Sequence, residues 1–183
     1  PELLEAVRGA TLRSRGFQPA TRQVLVTPGA NIAVYYAAFV VANAGDEILV
    51  PDPGFPTYLA AIDMCGATAV PYPLDKSDGF GISVKEIRKR ITEKTKMIIV
   101  TSPNNPTGSL ADESQLREVF ALAVENDLIV FSDEIYSRMI YQERDFFSMS
   151  SLDSCKERVI LSNGFSKAFA MTGWRLGTVV APE

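Results

Sequence analysis

The stretch Leu128-Ile129-Val130-Phe131-Ser132-Asp133-Glu134-Ile135-Tyr136 decides the fold. Its first four residues are wholly apolar and read as a buried strand, and polar groups follow at once. An ionised Asp at the end of a buried strand is costly unless it has a partner. A protonated ring nitrogen on a ligand would be such a partner, and Tyr136 is placed to point the same way.

The same alternation extends outward on both sides. Upstream, Asp112 caps a helix to about Asn126, with Leu116, Val119, Phe120 and Val124 inward. Before it, Lys96 to Thr101 is a strand carrying the run Met97-Ile98-Ile99-Val100, followed by Ser102-Pro103-Asn104-Asn105-Pro106-Thr107-Gly108. Two asparagines between prolines cannot join a regular element, so a stiff loop displays their amides. Downstream, Val159-Ile160-Leu161 is a strand. A polar turn, Ser162-Asn163-Gly164-Phe165-Ser166-Lys167, then runs on to Gly173-Trp174-Arg175, and Leu176 to Val180 is a last strand. A lysine just past a core strand is placed to meet a ligand. It can form a Schiff base with an aldehyde, and a nearby arginine can grip a phosphate with two parallel hydrogen bonds. Taken alone, the lysine reads equally well as an ordinary surface lysine.

The N-terminal half repeats the pattern. Pro1 to about Arg13 reads as a helix with Leu3, Leu4, Val7 and Thr11 on one side. Val24 to Thr27 is a strand, and Pro28-Gly29-Ala30-Asn31 turns from it into a helix from Ile32 to Asn43. Strand, glycine turn and helix N-terminus make an anion-binding arrangement, through free N–H groups and the helix dipole. Glu47 to Val50 is a strand, and Pro51-Asp52-Pro53-Gly54-Phe55-Pro56-Thr57-Tyr58 leads into a helix to about Met64. Phe55 and Tyr58 fit core packing, the usual fate of aromatics. Phe55, though, follows a strand end between two prolines that fix its backbone, which suits a ring stacked on a flat ligand. Thr68 to Tyr72 is a strand, Asp75 to Gly81 a polar loop, and Ser83-Val84-Lys85-Glu86 a capping box opening a helix to about Thr92. Seven strands alternating with helices predict an α/β domain, a mostly parallel sheet with helices on both faces. Too little helix separates the last two strands, which leaves an antiparallel direction open for the final one.

Composition narrows the function. The chain has 183 residues, 46% hydrophobic and 22% charged, with a net charge of −4. That is one ordinary globular domain with a sizeable core. Its acidic balance argues against nucleic acid or anionic membrane as a partner. Two distant cysteines, Cys65 and Cys155, fit neither a disulfide scaffold nor a zinc spacing, and the cytoplasm, a reducing compartment, is the simpler reading. The chain contains no histidine. That removes Ser-His-Asp and Cys-His catalysis and the usual metal sites, so acid–base work falls to Lys, Tyr, Asp, Glu or a cofactor. The chain opens as if inside a helix and stops directly after a strand, as a piece of a larger protein would.

In parallel α/β sheets, ligands bind outside the carboxyl ends of the strands. Gly29, Phe55, Asn105, Asp133 and Lys167 each fall just after a predicted strand. They offer an aldehyde-capturing amine, an anion cradle with an arginine, a ring stacker and a carboxylate for a ring nitrogen. That set fits pyridoxal 5′-phosphate, PLP.

At these residues the chain resembles the fold-type I, class I/II aminotransferases, the aspartate aminotransferase superfamily, along nearly its whole length. The motifs that carry the resemblance are Ser102 to Gly108, Ser132-Asp133-Glu134-Ile135-Tyr136, and Ser166-Lys167 with Gly173-Trp174-Arg175. The resemblance implies amino-group transfer between an amino acid and a 2-oxo acid, with Lys167 holding the cofactor as an imine and then acting as the base. It implies that Asp133 pairs with the pyridinium nitrogen, Asn105 and Tyr136 hydrogen-bond the ring hydroxyl, and Phe55 stacks where many relatives have tryptophan or tyrosine. Arg175 would bind the phosphate, helped by Ser166 and the backbone N–H groups of the Gly29-Ala30-Asn31 turn. Gly164 stands where many relatives have a phosphate-binding serine, and Asn31 where some have a hydroxyl residue. Residues 1–183 would be the PLP-binding large domain, lacking an N-terminal segment and the C-terminal small domain that supplies the arginine for the substrate carboxylate. The relatives form homodimers with the site at the subunit boundary. The same cofactor residues also suit a carbon–sulfur lyase, a cyclopropane-forming enzyme resembling 1-aminocyclopropane-1-carboxylate synthase, or a PLP-sensing domain of a transcription regulator.

Overall fold

Along the central strands, side chains alternate between two separate apolar layers, as the period of a strand requires. The computed structural model describes residues 2–141 and 144–183, so the expected helix start at Pro1 lies outside them. In chain order the elements are α1 (Glu2–Arg15), β1 (Val24–Thr27), α2 (Asn31–Val41), β2 (Glu47–Asp52), α3 (Thr57–Met64), β3 (Thr68–Asp75), β4 (Gly81–Ile82), α4 (Val84–Arg88), β5 (Thr95–Thr101), α5 (Glu113–Glu125), β6 (Ile129–Asp133), β7 (Val159–Gly164) and β8 (Gly177–Val180). Ile48, Val50, Met97, Ile99 and Phe131 pack with α2 and α3 on one face. Leu49, Ile98, Val100 and Val130 pack with α1, α4 and α5 on the other. A sheet covered on both faces explains why its strands read as continuous apolar runs.

The described residues form one eight-stranded sheet in the order β1-β8-β7-β6-β5-β2-β3-β4. The eighth strand, against seven expected, is β4, antiparallel to β3 through Leu74 and Ile82. Two residues at the end of a polar loop carry no readable period. Strands β2, β3, β5, β6 and β7 run parallel. Strand β8 runs antiparallel to both β7 and β1, which settles the direction left open and turns β1 the same way as β7. The carboxyl ends of β1, β7, β6, β5 and β2 therefore share one edge.

Local signals held to different degrees. Asp112 and Gln115 form a complete, reciprocal capping box on α5. Ser83 accepts from the Glu86 N–H, but the Glu86 carboxylate turns to Lys89 and Arg90 instead, and α4 stops at Arg88 rather than Thr92. Val124 on α5 is exposed; the buried side of that helix is Leu116, Val119, Leu122 and Ala123. On α1, Val7 and Thr11 are buried, whereas Leu3 is exposed. Strand β7 continues through Ser162-Asn163-Gly164, which the sequence read as a turn, because β8 supplies a partner for each of these residues. That pairing ends with Gly164 opposite Gly177.

Candidate active site

The shared strand edge opens on a cavity of about 250 Å³. Of the site residues read from the sequence, Ala30, Asn31, Phe55, Asn105, Asp133, Tyr136, Ser166, Lys167 and Arg175 all line it. Gly29 sits behind Arg175 instead. The cavity also takes in Val34, Tyr58, Thr101, Ile135 and Thr172, none of which the sequence reading had placed in a site.

At one end the backbone makes a cradle. Gly29 has φ +90°, and a Cβ there would lie 2.4 Å from Arg175 Nη2. Only glycine lets the guanidinium approach so closely. Arg175 Nη1 donates to the Thr172 carbonyl at 3.1 Å, which fixes the other side of the group. No side chain caps α2, whose N-cap is Ala30. Its leading N–H groups have no intrahelical acceptor, so they are available to an anion. Gly177 presses on this loop from β8: a Cβ on it would come within 2.4 Å of the Ala30 nitrogen. A Cβ on Gly164 would reach 2.9 Å from Ile135 Cδ1 and 3.2 Å from Ala30 Cβ. A side chain at that position therefore has no room unless Ile135 moves.

At the other end stands Asp133, the last residue of β6 rather than just beyond it. Its carboxylate is buried and accepts from the Tyr58 hydroxyl at 2.8 Å and from the Ile135 N–H at 3.2 Å. Burial holds the carboxyl above the ordinary Asp range. The Tyr58 and Ile135 hydrogen bonds pull the other way, and the neighbouring Glu134 charge adds to the rise. Tyr58 also lies 2.7 Å from Thr101 Oγ1. Its hydroxyl is held well above the usual phenol range by burial and by Asp133.

Between the two ends, half-buried Phe55 meets Tyr58 edge to face, with centroids 5.8 Å apart. The exposed Lys167 places Nζ 5.8 Å from the Tyr136 ring centroid. The two loop asparagines differ. Asn104 is buried, and its Oδ1 accepts from the Thr107 N–H and hydroxyl, so it builds the loop. Asn105 alone is displayed to the cavity. The peptide bonds Asp52–Pro53, Ser102–Pro103 and Asn105–Pro106 are cis.

Period-two alternation sends the next carboxylate, Glu134, to the opposite face. There Arg15 of α1 reaches it at 2.7 Å, and Ser132 and Ser148 donate hydroxyls at 3.1 and 2.6 Å. The sequence reading did not identify this pair. Arg15 lies 119 residues away and carries no local signal.

These residues fit a phosphorylated, nitrogen-containing aromatic aldehyde. The cradle that a Cβ would fill supplies N–H groups and a guanidinium for a dianion. Asp133 is buried opposite with no cation bonded to it among the described residues, and Lys167 lies beside the cavity. Among the described residues no cluster of His, Cys, Asp and Glu is arranged to hold a metal ion. No helix of the described residues is long and apolar enough to cross a membrane.

A family model described as aminotransferase class I and II matches residues 2–183. An aspartate aminotransferase of Pyrococcus abyssi is 42% identical across this chain, which covers 47% of that protein. Aromatic-amino-acid aminotransferase 2 of Thermococcus litoralis is 40% identical with the same coverage. The crystal structure of an aromatic aminotransferase from Pyrococcus horikoshii superposes with a TM-score of 0.96 at 41% identity, over 99% of this chain and 48% of that one. The aspartate aminotransferase of Thermus thermophilus with maleate gives 0.95 at 34% identity, over 100% and 47%. The chain thus spans about half the length of the curated relatives it matches.

Proposed function

Because this chain belongs to the class I and II aminotransferases, we propose that it is the cofactor-binding large domain of an enzyme that moves an amino group between an amino acid and a 2-oxo acid. The observation that carries this reading is the single cavity shared by Lys167, Asp133 and Arg175, residues contributed by three separate stretches of the chain. When bound, PLP supplies an aldehyde for covalent capture of amines and a ring that accepts an electron pair.

The chain's own groups have distinct tasks. Arg175 and the N–H groups at Ala30 and Asn31 bind the phosphate, and Ser166 lies beside them. Asp133 would accept from the ring nitrogen and favour its protonated form. Asn105 and Tyr136 would hold the ring hydroxyl, and Phe55 would cover the ring face. Lys167 Nζ would be the amine that holds the group through its aldehyde, and the same amine would be placed to take and return a proton during transfer. The arginine for the substrate carboxylate and the partner subunit of a homodimer would come from outside these residues, so the 183-residue chain alone should turn over little or no substrate.

Addition of PLP should produce a visible absorption band that borohydride removes and that Lys167→Ala lacks. A band that survives Lys167→Ala overturns the assignment. Exposing the loaded full-length enzyme to an amino acid should leave pyridoxamine phosphate. Release of ammonia would instead make it a lyase of the same fold.

A further inference from the structure

We propose that Tyr58, backed by Thr101, is a positioning residue that keeps Asp133 an acceptor for the protonated nitrogen of the bound ring. The inference rests on the cofactor reading above and concerns side chains for which that reading needs no role.

The argument is a count of protons. Tyr58 is 1% exposed, and its single hydroxyl lies 2.8 Å from Asp133 Oδ2 and 2.7 Å from Thr101 Oγ1. An ionised carboxylate only accepts. The phenol proton therefore goes to Asp133, and the Thr101 proton goes to the phenol oxygen. The chain runs one way, Thr101 to Tyr58 to Asp133, and leaves no buried group unpaired. If Asp133 is protonated at Oδ2, the same three oxygens pair in the reverse direction, and the Thr101 hydroxyl proton is then left without an acceptor among them. The trio thus favours the ionised Asp133, and a cation on the ring nitrogen reinforces the direction in which Tyr58 donates. The other charged or titratable groups around Asp133 are Glu134 on the opposite face and Lys167, Arg175 and Tyr136 around the same cavity.

Tyr72 shows what an ordinary core tyrosine looks like in this fold. It is equally buried, but its hydroxyl ends on the Ile99 carbonyl at 2.9 Å and meets nothing that changes charge. Tyr58 ends on the carboxylate of the site. Its ring also meets Phe55 edge to face, so one side chain orients both the acceptor and the stacking ring.

The test uses the chain loaded with PLP carrying ¹⁵N in the ring. Tyr58→Phe keeps the ring and its packing and removes only the hydroxyl. A carboxylate with one donor fewer is more basic and draws the shared proton from the ring. The ring ¹⁵N signal should move toward its unprotonated value, and PLP should dissociate about tenfold more readily, the scale of a hydrogen bond to a charged group. Thr101→Val should shift the signal the same way by less, and Thr101→Ser, which restores the hydroxyl, should return it to the wild-type position. A wild-type nitrogen signal in Tyr58→Phe overturns the proposal while leaving the cofactor reading intact. Failure of the wild-type chain to give a Lys167-dependent band overturns both.

Discussion

Asp133 and Glu134 are consecutive buried carboxylates at the end of one strand, and the fold treats them in opposite ways. Glu134 faces α1, where Arg15 and two serine hydroxyls meet it, and it is closed off from the cavity. Asp133 faces α3, receives a phenol and one backbone N–H, and looks into the cavity. A buried charge satisfied inside the protein belongs to the architecture. A buried charge offered neutral donors alone is held ready for a ligand. One residue of register separates the two roles.

Replacing Arg15 with Met should break the comparison most severely. Removing one partner of a buried pair costs about 3–5 kcal/mol, read as a lower denaturation midpoint. The PLP band per folded molecule should be retained. The double replacement of Arg15 by Met and Glu134 by Leu should recover most of the loss, because an apolar pair of similar volume needs no compensation. A single variant as stable as wild type would show that Glu134 is not the architectural carboxylate.

Asp133→Asn should act on the ligand instead. PLP affinity should fall by about ten- to a hundredfold, corresponding to roughly 1.5–3 kcal/mol for a charge-assisted hydrogen bond, as read by equilibrium dialysis. Stability should move the other way in the cofactor-free protein. Burial raises the folded-state pKa of Asp133, so its contribution is fully present below the ordinary Asp value and is lost as pH rises through the raised one. Cofactor-free wild type should therefore fall behind Asp133→Asn as the pH is raised through that window, when their melting temperatures are followed side by side. Parallel profiles would mean that Asp133 carries no such burden.

Ser148→Ala removes one donor from Glu134 and should cost about 1–2 kcal/mol of stability with PLP affinity unchanged. The smallest effect belongs to a half-buried carboxylate at the surface. Lys89, and then Arg90, hold Glu86 down to about 2 through hydrogen bonds. Water and salt screen that arrangement, so Glu86→Gln should move Tm by no more than about 1–2 °C in moderate salt. A larger loss would show that solvent screening does not discount these ion pairs.

What the sequence made legible follows from the range of the signal. Apolar runs and punctuating glycines and prolines revealed the sheet, its covering helices and nine of the fourteen residues that line the cavity, because those nine lie close to a readable strand end. Local patterns failed where a partner is distant. Ser162 to Gly164 are polar and become strand only because β8 lies beside them. Arg15 gains its meaning from Glu134, far along the chain. Tyr58 was legible as a core aromatic, and its ring is one. Its hydroxyl ends on Asp133, and ring burial alone cannot distinguish such a tyrosine from one that only packs. Val124 has the hydrophobicity of an inward residue at an exposed position of α5.

Strand β8 lies between β1 and β7, although almost the whole sequence separates it from β1. Among the described residues β1 pairs only with β8, so β2, β5, β6 and β7 can assemble while β1 still lacks that neighbour. The cradle brings Gly29 against Arg175 and Gly177, which lie far along the chain from it. It therefore forms only once the long loop between β1 and β8 has been closed, at the entropy cost of that loop. Under the proposed function, a grip on the phosphate depends on that closure.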